Sequence, residues 1–138
     1  MVDGSCAYVL CLPDDVGFER NKRVDEACTA VGYHLCCYCD RCAPEALLYR
    51  KFSEASDVWS YGVTLWEIFS FGMAPRLGEI KELPTLIHQG RRLLMPKNCP
   101  KPVYELMLYK CWQYYPVDRW TFKQIREEIQ RLELALSY

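Results

Sequence analysis

The chain has 138 residues, 51% of them hydrophobic, and its 17 lysine and arginine side chains against 18 aspartate and glutamate side chains give a formal net charge of −1. This balance argues against a nucleic-acid-binding domain, which carries a clustered positive excess, and the apolar content argues against a disordered chain. No apolar run reaches the roughly 18 residues that span a bilayer, and no basic stretch marks a secretory signal, so we expect a cytoplasmic protein without a membrane span.

Residues 1–40 show no sustained periodicity, and short apolar pieces such as residues 8–12 are compatible with a strand. From Cys42 onward the pattern is helical. Ser53 predicts the N-cap of a helix that runs to about Phe69, with Glu54 and Asp57 in its first turns, where the helix dipole favours negative charge. The apolar residues of this segment cover nearly its whole circumference, which predicts a central helix surrounded by protein.

The following elements are marked by glycines, prolines and capping residues. Gly72 predicts the left-handed end of the central helix, and Gly90 ends a short helix predicted from Pro84 to Gln89. Pro102 predicts the first position of the next helix.

The last predicted helix has the clearest pattern. Thr121 and Gln124 form a capping box, and Glu127 lies four residues before Arg131 as a predicted ion pair. Its apolar stripe predicts one buried face: Phe122, Ile125, Ile129, Leu132 and Leu136.

Five short motifs follow one another along the chain: Ala43-Pro44-Glu45, SDVWSYGVTLWE at residues 56–67, Cys99-Pro100, Cys111-Trp112 and Asp118-Arg119. Their order and spacing resemble the C-terminal lobe of a protein-tyrosine kinase. The Trp-Glu, Cys-Pro and Cys-Trp pairs resemble the tyrosine-specific branch, and the chain looks most like the non-receptor kinases, including the Syk-like, Ack-like and Janus-type groups.

The resemblance implies a mainly α fold, a protein-kinase-like C-terminal lobe with a buried central helix, preceded by an irregular N-terminal part with room for short strands. It divides the chain into a divergent, cysteine-rich, activation-segment-like region at residues 1–41 and a helical C-lobe subdomain at residues 42–138. The implied partners are the missing N-lobe and protein substrates or signalling partners, with neither nucleic acid nor membrane involved.

Several side chains acquire roles from this resemblance. Glu45 and Arg119 correspond to a pair that clamps the end of the activation segment to the helical core, so we expect a buried ion pair. Asp57 resembles the central-helix aspartate that accepts hydrogen bonds from the catalytic loop, although a carboxylate that simply favours the helix dipole is an equal alternative. The tryptophans are expected in the core: Trp59, Trp66 and Trp112.

Two upstream residues are further candidates. Asp15-Val16-Gly17 resembles the Asp-Phe-Gly segment that holds magnesium, which makes Asp15 a candidate magnesium ligand, with an acidic turn after a short strand as the alternative. Tyr33 lies ten residues before Ala43, where related kinases carry an activation-loop phosphorylation site, and a half-buried structural aromatic is the alternative.

Other positions depart from the family pattern and make substrate docking doubtful. Residues 38–42 differ from the run that docks substrate tyrosines, Arg76 replaces an aromatic residue and Trp120 replaces a proline. Pro84 interrupts a helix that usually contacts substrates or partners.

Phosphoryl transfer by this family uses ATP and magnesium and requires a glycine-rich loop, a lysine–glutamate pair, a His-Arg-Asp loop and a metal-binding aspartate. His34 is followed by Leu35 and His88 by Gln89, and no two glycines are spaced Gly-x-Gly. Asp15 alone cannot orient ATP with two metal ions and also activate the tyrosine hydroxyl. We therefore expect a kinase C-lobe that is inactive by itself and holds no cofactor alone, while the full-length protein uses ATP and magnesium.

Three alternatives remain open at this point. The chain is compatible with a non-catalytic, pseudokinase-type interaction module, and its first 40 residues are compatible with a misassembled end of a longer kinase gene product. A zinc-binding domain is a weaker alternative, because a second well-spaced cysteine pair is lacking. Its candidate ligands are Cys36, Cys37, Cys39 and Cys42.

Overall fold

The computed structural model describes residues 39–137, and all regular structure in this range is helical. The α-helices are α1 (Pro44–Tyr49), α2 (Glu54–Phe69), α3 (Leu83–His88), α4 (Lys101–Leu106) and α5 (Phe122–Leu136). A π-helical segment, Met107–Cys111, continues α4, and single 3-10 turns cover Cys39–Arg41, Ile80–Glu82 and Pro116–Asp118. The mainly α fold is confirmed, and the strands considered for residues 1–40 lie outside the described range.

The two ends of α2 form as the sequence predicts. Ser53 Oγ accepts the N–H of Ser56 at 3.3 Å, and Ser56 Oγ accepts the N–H of Ser53 at 2.7 Å, which completes a reciprocal capping box. At the other end, Phe71 (φ 57°) and Gly72 (φ 82°) are both left-handed, and the Gly72 N–H donates to Glu67 O at 2.8 Å. The left-handed stop therefore begins one residue before the glycine that predicts it.

The core is built around α2, which packs mainly against the π-helical segment Met107–Cys111. Val58, Trp59, Val63 and Trp66 of α2 are buried, as are Met107, Cys111, Trp112 and Ile125 from the elements around it. This arrangement confirms the central helix and the core positions of the three tryptophans. Only its last turn reaches solvent with a large apolar side chain, Ile68.

The short helices begin one residue earlier than expected. α3 starts at Leu83 and α4 at Lys101, so Pro84 and Pro102 occupy the second helical position in place of the first. Either position is compatible with proline, because the N–H groups of the first turn have no intrahelical acceptor. Gly90 follows α3 with a φ of 90°, as predicted for a helix end.

The N-terminus of α5 also forms its predicted capping box, with Thr121 Oγ1 accepting the Gln124 N–H at 3.3 Å. The expected ion pair differs: Arg131 donates to Glu128, with Nε–Oε2 at 2.9 Å and Nη2–Oε1 at 2.6 Å, and not to Glu127. Residues three and four apart are both neighbours on a helix, so spacing alone could not choose between them. No helix in residues 39–137 is long and apolar enough to cross a membrane.

Candidate functional site

Glu45 and Arg119 form a bidentate ion pair in the interior. Arg119 Nη1 lies 2.6 Å from Glu45 Oε1, and Nη2 lies 2.8 Å from Oε2. Their side chains are 0% and 10% exposed for Arg119 and Glu45, respectively. Pro44 starts α1 immediately before Glu45, and Arg119 follows the 3-10 turn Pro116–Asp118, so two local turns 74 positions apart in sequence deliver the opposite charges.

The remaining donors of the Arg119 guanidinium are satisfied by backbone carbonyls. Nη1 donates to Ala55 O at 2.9 Å, Nη2 to Tyr114 O at 3.0 Å and Nε to Gln113 O at 2.8 Å. All five N–H groups of the guanidinium thus have an acceptor, which removes the main cost of burying it. The side chain joins α1, the first turn of α2 and residues 113–114; we call this set of contacts the Arg119 latch.

Two guanidinium groups lie near the Trp59 indole, beside the latch. The guanidinium carbon of Arg119 lies 5.1 Å from a Trp59 ring centroid, and the guanidinium carbon of Arg92 lies 5.3 Å from one. Arg92 Nε also donates to Trp112 O at 2.9 Å and Nη1 to Ile87 O at 2.7 Å. Burial, followed by the positive charge of Arg119, lowers the pKa of Arg92. Sequence reasoning missed Arg92, because no periodicity distinguishes it from the exposed Arg91 beside it.

Asp57, on the first turns of α2, has different surroundings. Its side chain is half-buried, and among residues 39–137 no hydrogen-bond donor reaches its carboxylate. Burial raises the pKa of Asp57, and the nearby carboxylate of Glu54 adds to the rise. Partial burial therefore disfavours the charged form of this carboxylate.

The turn Cys39–Arg41 is held against α2 by a second ion pair. Arg41 Nη2 lies 2.5 Å from Glu67 Oε1 and Nε lies 3.2 Å from Oε2. Ser60 Oγ donates to the carbonyl of Arg41 at 2.9 Å. Burial raises the pKa of Asp40, which Arg76 and Arg41 oppose, and its Oδ1 is buried without a hydrogen-bond partner among the described residues. Residues 39–42 belong to the stretch that differs from the family's substrate-docking sequence. They include the charged side chains of Asp40 and Arg41, and Arg41 pairs with Glu67 of α2.

Gly62 allows α2 to approach the segment around Trp112. A Cβ at Gly62 would lie 2.7 Å from both Cys111 Cβ and Trp112 Nε1, closer than atoms pack. The neighbouring Cys111 is fully buried, and burial raises the pKa of its thiol to about 12. This cysteine is consequently a packing residue without thiolate chemistry.

The other sequence candidates are not brought together in the described part. Asp15, Tyr33, Cys36 and Cys37 lie outside residues 39–137. Cys39 belongs to the first 3-10 turn and Cys42 is half-buried just before α1. Within the described range no group of three or more His, Cys, Asp or Glu side chains could hold a metal ion.

Comparison with protein-family models extends the motif pattern to most of the chain. The model of the protein tyrosine and serine/threonine kinase matches residues 14–129. The chain belongs to this kinase family. The helical residues correspond to the C-terminal lobe of the kinase domain, and the match begins one residue before Asp15.

Individual kinases show the same relationship. The chain is 49% identical to the tyrosine-protein kinase sid-3 of Caenorhabditis elegans over 90 residues (64% of the chain, 7% of the relative). It is 41% identical to the activated Cdc42 kinase Ack of Drosophila melanogaster over 115 residues (82% and 11%). It is 44% identical to the Abl transforming protein of Abelson murine leukemia virus over 91 residues (65% and 12%). The chain therefore spans about a tenth of each of these kinases.

Kinases of this family use ATP and magnesium. Magnesium in such sites is held by one or two carboxylates together with the ATP phosphates, and residues 39–137 contain no group of three or more possible metal ligands. The one candidate ligand suggested by the sequence, Asp15, lies outside that range.

Proposed function

We propose that the chain is the helical platform of a protein-tyrosine kinase domain, with residues 42–138 as the C-lobe subdomain and residues 1–41 as a divergent activation-segment region. The platform supports the end of the activation segment and presents protein substrates. Phosphoryl transfer to tyrosine then depends on groups that this sequence does not contain. The non-receptor kinases among the relatives support a cytoplasmic role.

The Arg119 latch is the observation that carries this proposal. It fixes Glu45, which follows the activation segment by family resemblance, to a guanidinium whose five donors are all satisfied. A buried, fully bonded pair holds the adjoining chain in one position, which is what a segment that positions a substrate needs. Arg41 and Glu67 hold the residues immediately before α1 against the same central helix.

Two absences in the sequence support the proposal that the chain alone does not transfer phosphate. Neither histidine is followed by Arg-Asp, and no Gly-x-Gly is present. Orientation of ATP, neutralisation of the γ-phosphate charge and activation of the tyrosine hydroxyl require several positioned groups. In the full-length kinase these groups, with ATP and magnesium, complete the site.

The direct test is a phosphorylation assay. The 138-residue chain is incubated with γ-labelled ATP, magnesium and a glutamate–tyrosine copolymer, with heat-denatured chain as control. We expect no incorporation above the control, and turnover above it would refute the inactivity of the isolated chain.

A chimera tests the platform role itself. Residues 42–137 replace the matching segment in the kinase domain of Drosophila Ack, to which the chain is 41% identical. We expect phosphorylation of the copolymer by the chimera and loss of most of it with Arg119→Met, while Arg126→Met on the exposed face of α5 leaves it unchanged. A folded but inactive chimera would contradict the platform role.

A non-catalytic interaction module is the second candidate, and the missing catalytic motifs favour it. The full-length transcript separates the two: an encoded His-Arg-Asp and glycine-rich loop indicates a catalytic kinase, and their absence indicates the interaction module. Zinc binding through Cys36, Cys37, Cys39 and Cys42 is tested by metal analysis of untagged protein, where stoichiometric zinc would favour it.

A further inference from the structure

Two buried polar atoms in residues 39–137 have no hydrogen-bond partner in the chain, and both belong to side chains that line one small cavity. They are Trp112 Nε1, a donor, and Asp40 Oδ1, an acceptor. Trp112 is 2% exposed, and Asp40 is half-buried with its Oδ1 atom shielded from solvent. In the unfolded chain water bonds both atoms, so each needs a further partner in the folded state.

The cavity lies between the turn Cys39–Arg41, α2, the loop after α2, α3 and residues 91–93. Its volume is about 20 Å³. A buried water molecule requires roughly 10–15 Å³ of such volume and two to four polar partners. The cavity therefore accommodates one water molecule and nothing larger. Apolar side chains form much of the wall, including Val63, Leu83 and Ile87.

The surroundings of the two atoms favour a neutral ligand. Trp112 Nε1 lies beside Gly62, where a Cβ would be 2.7 Å away, so α2 comes close to the indole nitrogen without a side chain that could accept its hydrogen. Arg91 and Arg92 line the cavity together with Asp40. A cation would meet two guanidinium groups and an anion would meet the carboxylate, whereas a molecule that both accepts and donates matches the two atoms.

We propose that this cavity binds one water molecule, which accepts the hydrogen of Trp112 Nε1 and donates a hydrogen to Asp40 Oδ1. The bridge joins the turn Cys39–Arg41 to the residue that follows the π-helical segment Met107–Cys111. It holds the turn at a second point, in addition to the ion pair of Arg41 with Glu67. The proposal concerns the interior of the protein and does not depend on substrate presentation or phosphoryl transfer.

The test is the transfer of magnetisation between water and the indole N–H groups in ROESY spectra of the isotope-labelled 138-residue chain. The sign of the cross-peak separates contact with a bound water molecule from hydrogen exchange. We expect a contact cross-peak at Trp112. Trp66 is the internal control, because its Nε1 donates to Leu94 O at 2.7 Å and needs no water. Equal water signals at the two indoles would overturn the proposal.

Two substitutions of Asp40 locate the water molecule. Asp40→Val removes the acceptor with a side chain of similar size, and we expect the water signal of Trp112 to fall to the level of Trp66. Asp40→Asn retains a carbonyl oxygen and should retain the signal. Circular dichroism verifies the fold of both variants. An unchanged signal in folded Asp40→Val would overturn the bridge; if this variant does not fold, the comparison of Trp112 with Trp66 in the parent chain decides.

Discussion

Two carboxylates near the starts of neighbouring helices, Glu45 in α1 and Asp57 in α2, have opposite surroundings. Glu45 is buried and receives two hydrogen bonds from Arg119. Asp57 is half-buried, no described donor reaches its carboxylate, and burial raises its pKa. Helix position and charge are similar, so the difference arises from what the rest of the chain places opposite each side chain.

The comparison shows that the Arg119 latch is complete within the described residues, whereas the Asp57 carboxylate is not satisfied there. A buried charge stabilises a fold only when its partners compensate for the water it loses. Removal of a charge should therefore have opposite consequences at the two positions. The following predictions, from the largest effect to the smallest, test this contrast.

Breaking the latch should cause the largest loss. Arg119→Met leaves Glu45 buried without its counterion, and we expect the free energy of unfolding to fall by about 3–5 kcal/mol. Urea denaturation followed by tryptophan fluorescence measures this change. Arg126→Met, on the exposed face of α5, is the matched control and should be neutral. Equal stability of Arg119→Met and the parent chain would mean that the latch does not hold the fold.

A change of core packing that leaves Glu45 and Asp57 intact should have an intermediate effect on the free energy of unfolding. In Gly62→Ala the added methyl group meets Cys111 Cβ and Trp112 Nε1 at 2.7 Å. We expect destabilisation of about 1–3 kcal/mol from overpacking, and a larger loss for Gly62→Val. Thermal melts at one pH compare the variants; a stabilised Gly62→Ala chain would show that α2 can move away from Trp112 at little cost.

The half-buried pair of Arg41 and Glu67 should contribute less to the free energy of unfolding than the Arg119 latch does. Because Arg41 has further contacts, the informative measurement is a double-mutant cycle with Arg41→Ala, Glu67→Ala and the double variant. We expect a coupling energy of about 1 kcal/mol, reduced by salt, since solvent screens a partly exposed pair. A coupling as large as the loss caused by Arg119→Met would remove the distinction between the buried and half-buried pairs.

The smallest effect should have the opposite sign. The folded-state pKa of Asp57 lies above its unfolded value of 3.8, so the native state binds the proton more tightly and stability falls as pH rises through the folded-state pKa. At neutral pH the penalty is fully present. Asp57→Asn should remove it and raise stability by less than about 1 kcal/mol after solvent screening.

The pH dependence of this variant is the decisive measurement. The gain of Asp57→Asn should vanish below pH 3.8, where the aspartate is protonated in both folded and unfolded states. Glu127→Gln, at an exposed position of α5, serves as the control for loss of one surface carboxylate. Destabilisation by Asp57→Asn at neutral pH would indicate a stabilising partner for this carboxylate.

Local signals in the sequence predicted four of the five α-helices in residues 39–137, and α1 was not among them. Ser53 caps α2 and Thr121 forms its capping box as predicted, because both use contacts within four residues, whereas the reciprocal bond from Ser56 was not predicted. The prediction of an i,i+4 ion pair between Glu127 and Arg131 was wrong. Arg131 pairs with Glu128, which is also a neighbour of Arg131 on the helix surface. Arg92 had no sequence signal, because its acceptors at Ile87 and Trp112 are carbonyls that any residue could supply.

The sequence by itself determined the helical pattern, the kinase motifs and the missing catalytic ones, because these depend on residue types at fixed spacing. It also named Glu45 and Arg119, but only through family resemblance. Tertiary structure decided that three backbone carbonyls complete the Arg119 guanidinium, that Arg92 and Arg119 both lie close to the Trp59 ring and that Asp57 has no described donor. Such contacts join residues far apart in the chain, and burial, which sets their strength, exists only after folding.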